Sequence, residues 1–403
     1  MSAIKKTRIN ITTMAIERTG GVRAVLEIAN RLHDLNYDVT VTALAGSCSW
    51  FPLKVKINYV TSVPNKGLAK SLDMVARTYR RLRDSRRKVR YKASSLFYLS
   101  RQMEMKFGAQ LDLIPYLAEN IPDCDVNIAT WYPTAFAVYF SGKGRPYYFL
   151  QDSPAMVAEQ CSHFDAYCLN MFKATLQLPF CFLANSAYTK GLVIENQPYA
   201  NVSVVGVGVD TTIFHPREKK LFDETKKPKI MVILGGFKFK GDEIAVGVLN
   251  AVNEKLPIHA ILVGSDRSIE NAFDFAKPRF AYTHFPPIGQ DELAALYSSA
   301  DLFLYTSCNE SLGLPPLEAM GCCTPVITTD CLGNREYAVD NFNCLVLPSG
   351  NVRALAERTL ELLTNESLAE TLVRGGLETV ARFTWDKVIE RIDGIFRSAE
   401  KGI

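Results

Sequence analysis

The sequence has no apolar run approaching the roughly 18 residues that a membrane-spanning helix requires. It also lacks a long apolar stretch with a small-residue cleavage site near its start: "MSAIKKTRINITTMAIERTGG" sets charge directly beside a short strand-like run, which argues against a signal peptide. Ten cysteines are present, with no paired C-x-x-C knuckles and no histidine clusters beside them, so reduced and mostly buried thiols in a cytoplasmic protein are expected rather than a zinc site or a disulfide framework. Charge of one sign is scarce as well. The 46 Lys and Arg against 42 Asp and Glu leave a formal net charge of +4, too little for a global drive toward nucleic acid.

What is present is enough for large cores. With 403 residues, 48% hydrophobic and 22% charged, the chain has the length of two or three domains. "RINITTMA" reads as a strand, "VRAVLEIANRLHDLNY" places Val25, Ile28, Ala29 and Leu32 at helical spacing, and "DVTVTAL" alternates as a second strand. "CDVNIATW", "RPYYFLQD", "FCFLANS" and "NVSVVGVGVD" continue as short apolar strands between helical pieces, the pattern of a parallel sheet covered on both faces. The charged stretch "TTIFHPREKKLFDETKKPK" is the best boundary, and five further strands follow it: "IMVILGG", "IHAILVGS", "DLFLYTS", "PVITTD" and "NCLVLP". The expected fold class is α/β, two doubly wound Rossmann-like domains facing a cleft, over residues 1–212 and 213–384. A last amphipathic helix within 385–403 is expected to cross back to the first domain.

Residues 66–106 differ in composition, with 13 Lys and Arg against 3 Asp and Glu, a local excess of +10. Leu68, Leu72, Val75, Tyr79 and Leu82 form an apolar stripe at helical spacing. Two readings stand side by side, a solvated helix face and association with an anionic membrane surface or an anionic lipid-linked substrate, with nucleic acid as a minor third.

Three glycine-rich stretches could meet phosphate. Gly20 and Gly21 stand between the first strand and its helix, where they form a tight turn or an anion site. "GGFKFKGDE", Gly235 to Glu243, follows a strand, opens a helix, and is expected to offer free amides with Lys238 and Lys240; it is neither a P-loop nor a dinucleotide fingerprint. "VVGVGVD" reads as an interdomain turn.

The most informative stretch is "NESLGLPPLEAMGCCTPVITTD", Asn309 to Asp330. Pro315 and Pro316 are tolerated only in the first turn of a helix, which therefore starts there, after the strand "DLFLYTS". Glu310 falls on the loop and Glu318 in the first turn or so of the helix. Gly313 lets the backbone approach a ligand, and the amides at Gly313 and Leu314 suit phosphate. Carboxylates at the end of a parallel strand accept from hydroxyls, so diphosphate on the amides and sugar hydroxyls on the acids would suit a sugar nucleotide. The plainer reading makes Glu310 a solvated loop acid and Glu318 an acid placed for the helix dipole.

The stretch E-x7-E in "ESLGLPPLEAMG", followed by "TPVITTD" and Glu336, resembles the donor-site signature of retaining GT-B glycosyltransferases of family four. The likeness extends to "ANSAYTKGLV", "GVGVDTTIFHP", Lys240-Gly241 and "FTWDKV", and in the first half to Gly20-Gly21 and "ANRLHDLNYDVTV". It implies that Glu310 touches the donor sugar, Glu318 the ribose hydroxyls and Lys240 the pyrophosphate. The family's usual G-R before K-G is missing, and Lys238 would supply that charge. Where many members carry a histidine, "FLQDSPAM" has Gln151 and Asp152, more like certain polysaccharide rhamnosyltransferases; a buried-turn aspartate is the other reading of Asp152. The implied protein is a metal-independent, retaining hexosyltransferase that needs no cofactor, takes a nucleotide diphosphate sugar as donor and a glycan or lipid-linked acceptor, and does not bind nucleic acid. Its expected place is the cytoplasm, at the inner face of the membrane if the basic segment binds there, in surface polysaccharide or glycolipid synthesis. The alternative is a non-catalytic sugar-nucleotide-binding partner subunit on the same fold.

Overall fold

The computed structural model describes residues 6–60, 109–160, 165–217, 221 and 226–400. The basic segment 66–106 therefore lies outside the described residues. The chain divides into two compact units, residues 1–149 with 170–182, and residues 150–169 with 183–403.

The first sheet has seven strands, β1 Arg8–Ile16, β2 Asp38–Gly46, β3 Lys56–Tyr59, β4 Val126–Ala129, β5 Arg145–Leu150, β6 Cys181–Ala184 and β7 Val202–Val204, in the order β3-β2-β1-β4-β5-β6-β7. The pairs from β3 to β5 are parallel. Strand β1 is buried along nearly its whole length, as a strand covered on both faces must be, so its polar residues need partners inside. They find them across the sheet: Asn10 Nδ2 donates to Asn127 Oδ1 at 2.9 Å, and Thr42 Oγ1 donates to Asn10 Oδ1 at 2.7 Å.

The second sheet is all parallel and has six strands, β8 Lys229–Leu234, β9 His259–Gly264, β10 Ala281–Phe285, β11 Leu302–Tyr305, β12 Val326–Thr329 and β13 Leu345–Leu347, in the order β10-β9-β8-β11-β12-β13. Ile230, Val232 and Leu234 of β8 and Leu302 and Leu304 of β11 pack with Ala245, Val246 and Leu249 of the helix Asp242–Asn253 in one buried cluster. Both sheets thus show the doubly wound order, in which the chain reverses direction beside the first strand. In the second sheet this places β8 next to β11, with Leu302 opposite Ile230 and Phe303 opposite Met231. Loops leaving the carboxyl ends of these two strands meet, although about 70 residues separate them in sequence.

The expected strands are all present, and two more join them. Both extra strands, β3 "KINY" and β10 "AYTHF", lie at sheet edges and are only partly buried, so neither carries the continuous apolar run that marked the others. The last helix, Trp385–Glu400, is anchored to residues 205–209: Arg391 donates to the Val205 carbonyl at 3.0 Å, and Val209 bridges to Thr384. No described helix is long and apolar enough to cross a membrane. The described cysteines are free; five are buried, and Cys308 is exposed.

Candidate active site

The loop after β8 turns tightly. Gly235 and Gly236 lead into a single 3-10 turn, Lys238–Lys240, and Gly241, with φ of 65°, starts the helix Asp242–Asn253. A Cβ on Gly241 would lie 2.2 Å from the Thr306 carbonyl oxygen, so only glycine allows this loop to approach the β11 loop. Cys308 N donates to the Phe239 carbonyl at 2.7 Å, and Thr306 Oγ1 to that of Gly241 at 2.9 Å, joining the two loops.

Of the amides expected to be free in "GGFKFKG", all but that of Phe237 are taken by neighbouring carboxylates and carbonyls. Asp242 accepts the amides of Gly235 and Gly236 at 3.2 and 2.7 Å, Glu159 accepts those of Lys238 and Phe239, and Lys240 and Gly241 donate to Phe237 and Lys238 carbonyls. Burial pushes the Asp242 carboxyl up to about 6 despite these amides, because desolvation outweighs them. What the loop retains for a ligand is mainly side-chain charge.

The β11 loop differs. Gly313, with φ of 80°, caps the helix Leu314–Gly321 with no side-chain cap bond, and neither its amide nor that of Leu314 has an acceptor among the described residues. The Gly313 carbonyl accepts from the Tyr337 hydroxyl. Two adjacent anion-ready amides therefore stand at residues 313–314, whereas 235–241 keeps only that of Phe237.

Glu310 is 5% exposed, and its Oε1 accepts both from Lys240 Nζ and from the Tyr305 hydroxyl, each at 2.7 Å. This excludes the reading of Glu310 as a solvated loop acid. Glu318 is the fifth residue of its helix, at the start of the second turn, and is 3% exposed. Lys238 shares the 3-10 turn with Lys240, and its backbone is tied to Glu159.

Asp152 is buried, its Oδ2 has no hydrogen-bond partner among the described residues, and desolvation pushes its carboxyl up to about 7. Ser153 Oγ donates to Asn309 Oδ1 at 2.6 Å, so the Asp152–Ser153 turn is tied to the residue preceding Glu310. Asn185 Nδ2 and the Ser186 hydroxyl both bond Ser311, and Glu336 accepts the Ala187 amide at 2.7 Å. Gly20 and Gly21 open the helix Gly20–Asp34, capped by Thr19, and belong to the other compact unit.

The structure thus gathers Lys240, Glu310 and Gly313 directly, continues through Leu314 to Glu318 on one loop and helix, and ties in Asp152 through its neighbour. Tyr305, Tyr337, Glu159 and Asp242 were not anticipated. Only a polar residue ending an apolar strand, as in "LFLY", hints at Tyr305 in the sequence.

This part of the chain matches a known family model, that of glycosyl transferases group 1, over residues 216–378. An uncharacterised glycosyltransferase of Methanocaldococcus jannaschii is 32% identical over 106 residues, 26% of this chain and 30% of that protein. The D-inositol 3-phosphate glycosyltransferase of Acidothermus cellulolyticus is 28% identical over 228 residues, 49% of this chain and 48% of that protein. The match thus spans about half the length of that relative, and less of the first. Among solved structures, HepE of Anabaena with UDP and glucose aligns with a TM-score of 0.71 at 15% identity, covering 97% of this chain and all of that one. Sucrose-phosphate synthase of Thermosynechococcus elongatus aligns with a TM-score of 0.69 at 17% identity over 99% of this chain. The two Rossmann-like domains of these neighbours, the GT-B architecture, are therefore the fold of the whole chain.

Proposed function

We propose that the chain is a retaining glycosyltransferase that moves a hexosyl group from a nucleotide diphosphate sugar to a hydroxyl acceptor, in the synthesis of a surface polysaccharide or glycolipid. The observation that carries this reading is the Lys240–Glu310 pair beside the unbonded Gly313 and Leu314 amides, at the carboxyl ends of β8 and β11 where doubly wound sheets bind ligands. One cation and two amides suit a diphosphate, and a buried acid beside them suits sugar hydroxyls.

In the reaction, an acceptor oxygen bonds to the anomeric carbon as the bond from that carbon to the diphosphate oxygen breaks. The leaving diphosphate takes the acceptor proton on the same face. Lys240 and the two amides stabilise the charge that grows on the diphosphate, and Glu318 holds the ribose hydroxyls. Uridine is the base to test first, because the HepE neighbour binds UDP. The basic segment 66–106 would hold the chain at an anionic membrane bearing a lipid-linked acceptor, and its binding to vesicles would then require acidic lipid and weaken with salt.

Incubation with UDP-, GDP-, ADP- and dTDP-sugars, with detection of released nucleoside diphosphate, tests the reading. Slow release accelerated by a glycan acceptor is expected. Thermal stabilisation by a sugar nucleotide without any release would instead make the chain a binding subunit.

A further inference from the structure

Tyr305 ends β11, is 4% exposed, and stacks on Phe303 with ring centroids 6.0 Å apart. Its hydroxyl and the Lys240 ammonium both donate to Oε1 of Glu310. A carboxylate oxygen has two lone pairs, so these two donors fill Oε1, while Oε2 has no donor among the described residues. The two partners differ in kind. Lys240 sits on a loop, at the end of a flexible stem that is 28% exposed, and can swing. Tyr305 is locked in the sheet, and burial pushes its phenol well above the ordinary value, so it remains a donor at any working pH.

We propose that Tyr305 is a positioning residue for Glu310: its bond to Oε1 fixes the plane of the carboxylate and, together with Lys240, leaves Oε2 as the open acceptor for sugar hydroxyls. This rests on the glycosyltransferase reading and deepens it, because it sets how the site recognises the transferred sugar. A carboxylate free at both oxygens can straddle a vicinal diol; this one presents a single point, so the hydroxyls it accepts must converge on Oε2. Tyr337 supplies the internal control. Its hydroxyl, like that of Tyr305, lies 3.5 Å from where a Gly313 Cβ would stand, but it bonds the Gly313 carbonyl instead of the acid. Tyr337 thus shapes the anion end and Tyr305 the sugar end.

The test is Tyr305→Phe, which keeps the ring and removes the donor, with UDP and UDP-glucose as probes in calorimetry. UDP affinity should stay within about twofold of wild type, while the advantage of UDP-glucose over UDP falls about tenfold or more. Combining it with Glu310→Gln should add little to Glu310→Gln alone, since both remove one contact. Tyr337→Phe should weaken both probes together. Equal loss of UDP and UDP-glucose affinity in Tyr305→Phe, or no loss of either, overturns the proposal. If the wild-type chain binds no nucleotide or does not discriminate the two probes, the glycosyltransferase reading or the choice of glucose fails separately. Crystal structures of wild type and Tyr305→Phe then decide the positional claim: a Glu310 carboxylate turned away in the variant sustains it, and one left in place overturns it.

Discussion

Lys240 and Glu310, 70 residues apart in sequence, close an ion pair of 2.7 Å in which the lysine side chain is 28% exposed and the glutamate 6%. Removing the cation leaves a buried acid with only Tyr305 on it. Lys240→Ala should therefore lower stability by about 1–3 kcal/mol and weaken UDP binding, whereas Lys238→Ala, on the exposed side of the same turn, should do less of both. Urea unfolding and calorimetry measure the two effects. A more damaging Lys238→Ala would mean that the phosphate-facing lysine has been misassigned.

The two glutamates should fail differently. Glu318→Ala removes a contact that is similar in ground and transition states, so the donor KM should rise roughly 10- to 150-fold, the equivalent of about 1.5–3 kcal/mol. Glu310→Gln should lower kcat and leave free nucleotide binding intact, because the contact proposed for it is to the sugar whose bond breaks. A kcat within about threefold of wild type in Glu310→Gln would remove the acid from the chemistry.

Asp152 predicts an unusual pH dependence. Held neutral up to about pH 7 when folded, it keeps a proton that the unfolded chain has already released above about pH 4, so its contribution to stability falls as pH rises between those values. Asp152→Asn cannot ionise. The variant should match wild type near pH 4 and exceed it by on the order of 2–4 kcal/mol at pH 8. Melting temperatures at both pH values read the difference, and an equal gap at the two would place the aspartate in a wetter setting than the structure shows.

Gly241→Ala tests the joint between the loops. With φ of 65° and a Thr306 oxygen 2.2 Å from the new methyl carbon, alanine forces the loops apart. Stability should fall by about 1–3 kcal/mol, and UDP affinity with it, since Lys240 is the preceding residue. Denaturant midpoints paired with calorimetry follow both.

How far the sequence could be read followed from burial and range. Strands such as β8 and β11, sealed on both faces, carry continuous apolar runs and were plain. The edge strands β3 and β10 half-face water, and their mixed composition reads as loop. Within the site, glycine, proline and charge drew attention to Lys240, Gly313 and the two acids, but the roles expected of Lys240, Glu310 and Glu318 came from the resemblance of the E-x7-E stretch and not from local chemistry. The capping of Lys238 and Phe239 amides by Glu159, 79 and 80 residues away, was not legible, since nothing local distinguishes an amide that will be taken from one that will stay open. The same holds for Tyr305, whose hydroxyl gains its role only from the neighbour that the sheet order supplies.

Pro315 and Pro316 have an effect beyond starting a helix. The opening turn of a helix ordinarily exposes a fan of N–H groups, and here two of them do not exist. The field of the helix is intact, but the directional grip on an anion narrows to Gly313 and Leu314, on backbone that the proline rings stiffen. Such a mouth attracts any anion weakly and holds firmly only one whose oxygens arrive along two fixed lines. If the proposed diphosphate binds here, selectivity at its end would come by subtraction: fewer donors, more sharply aimed.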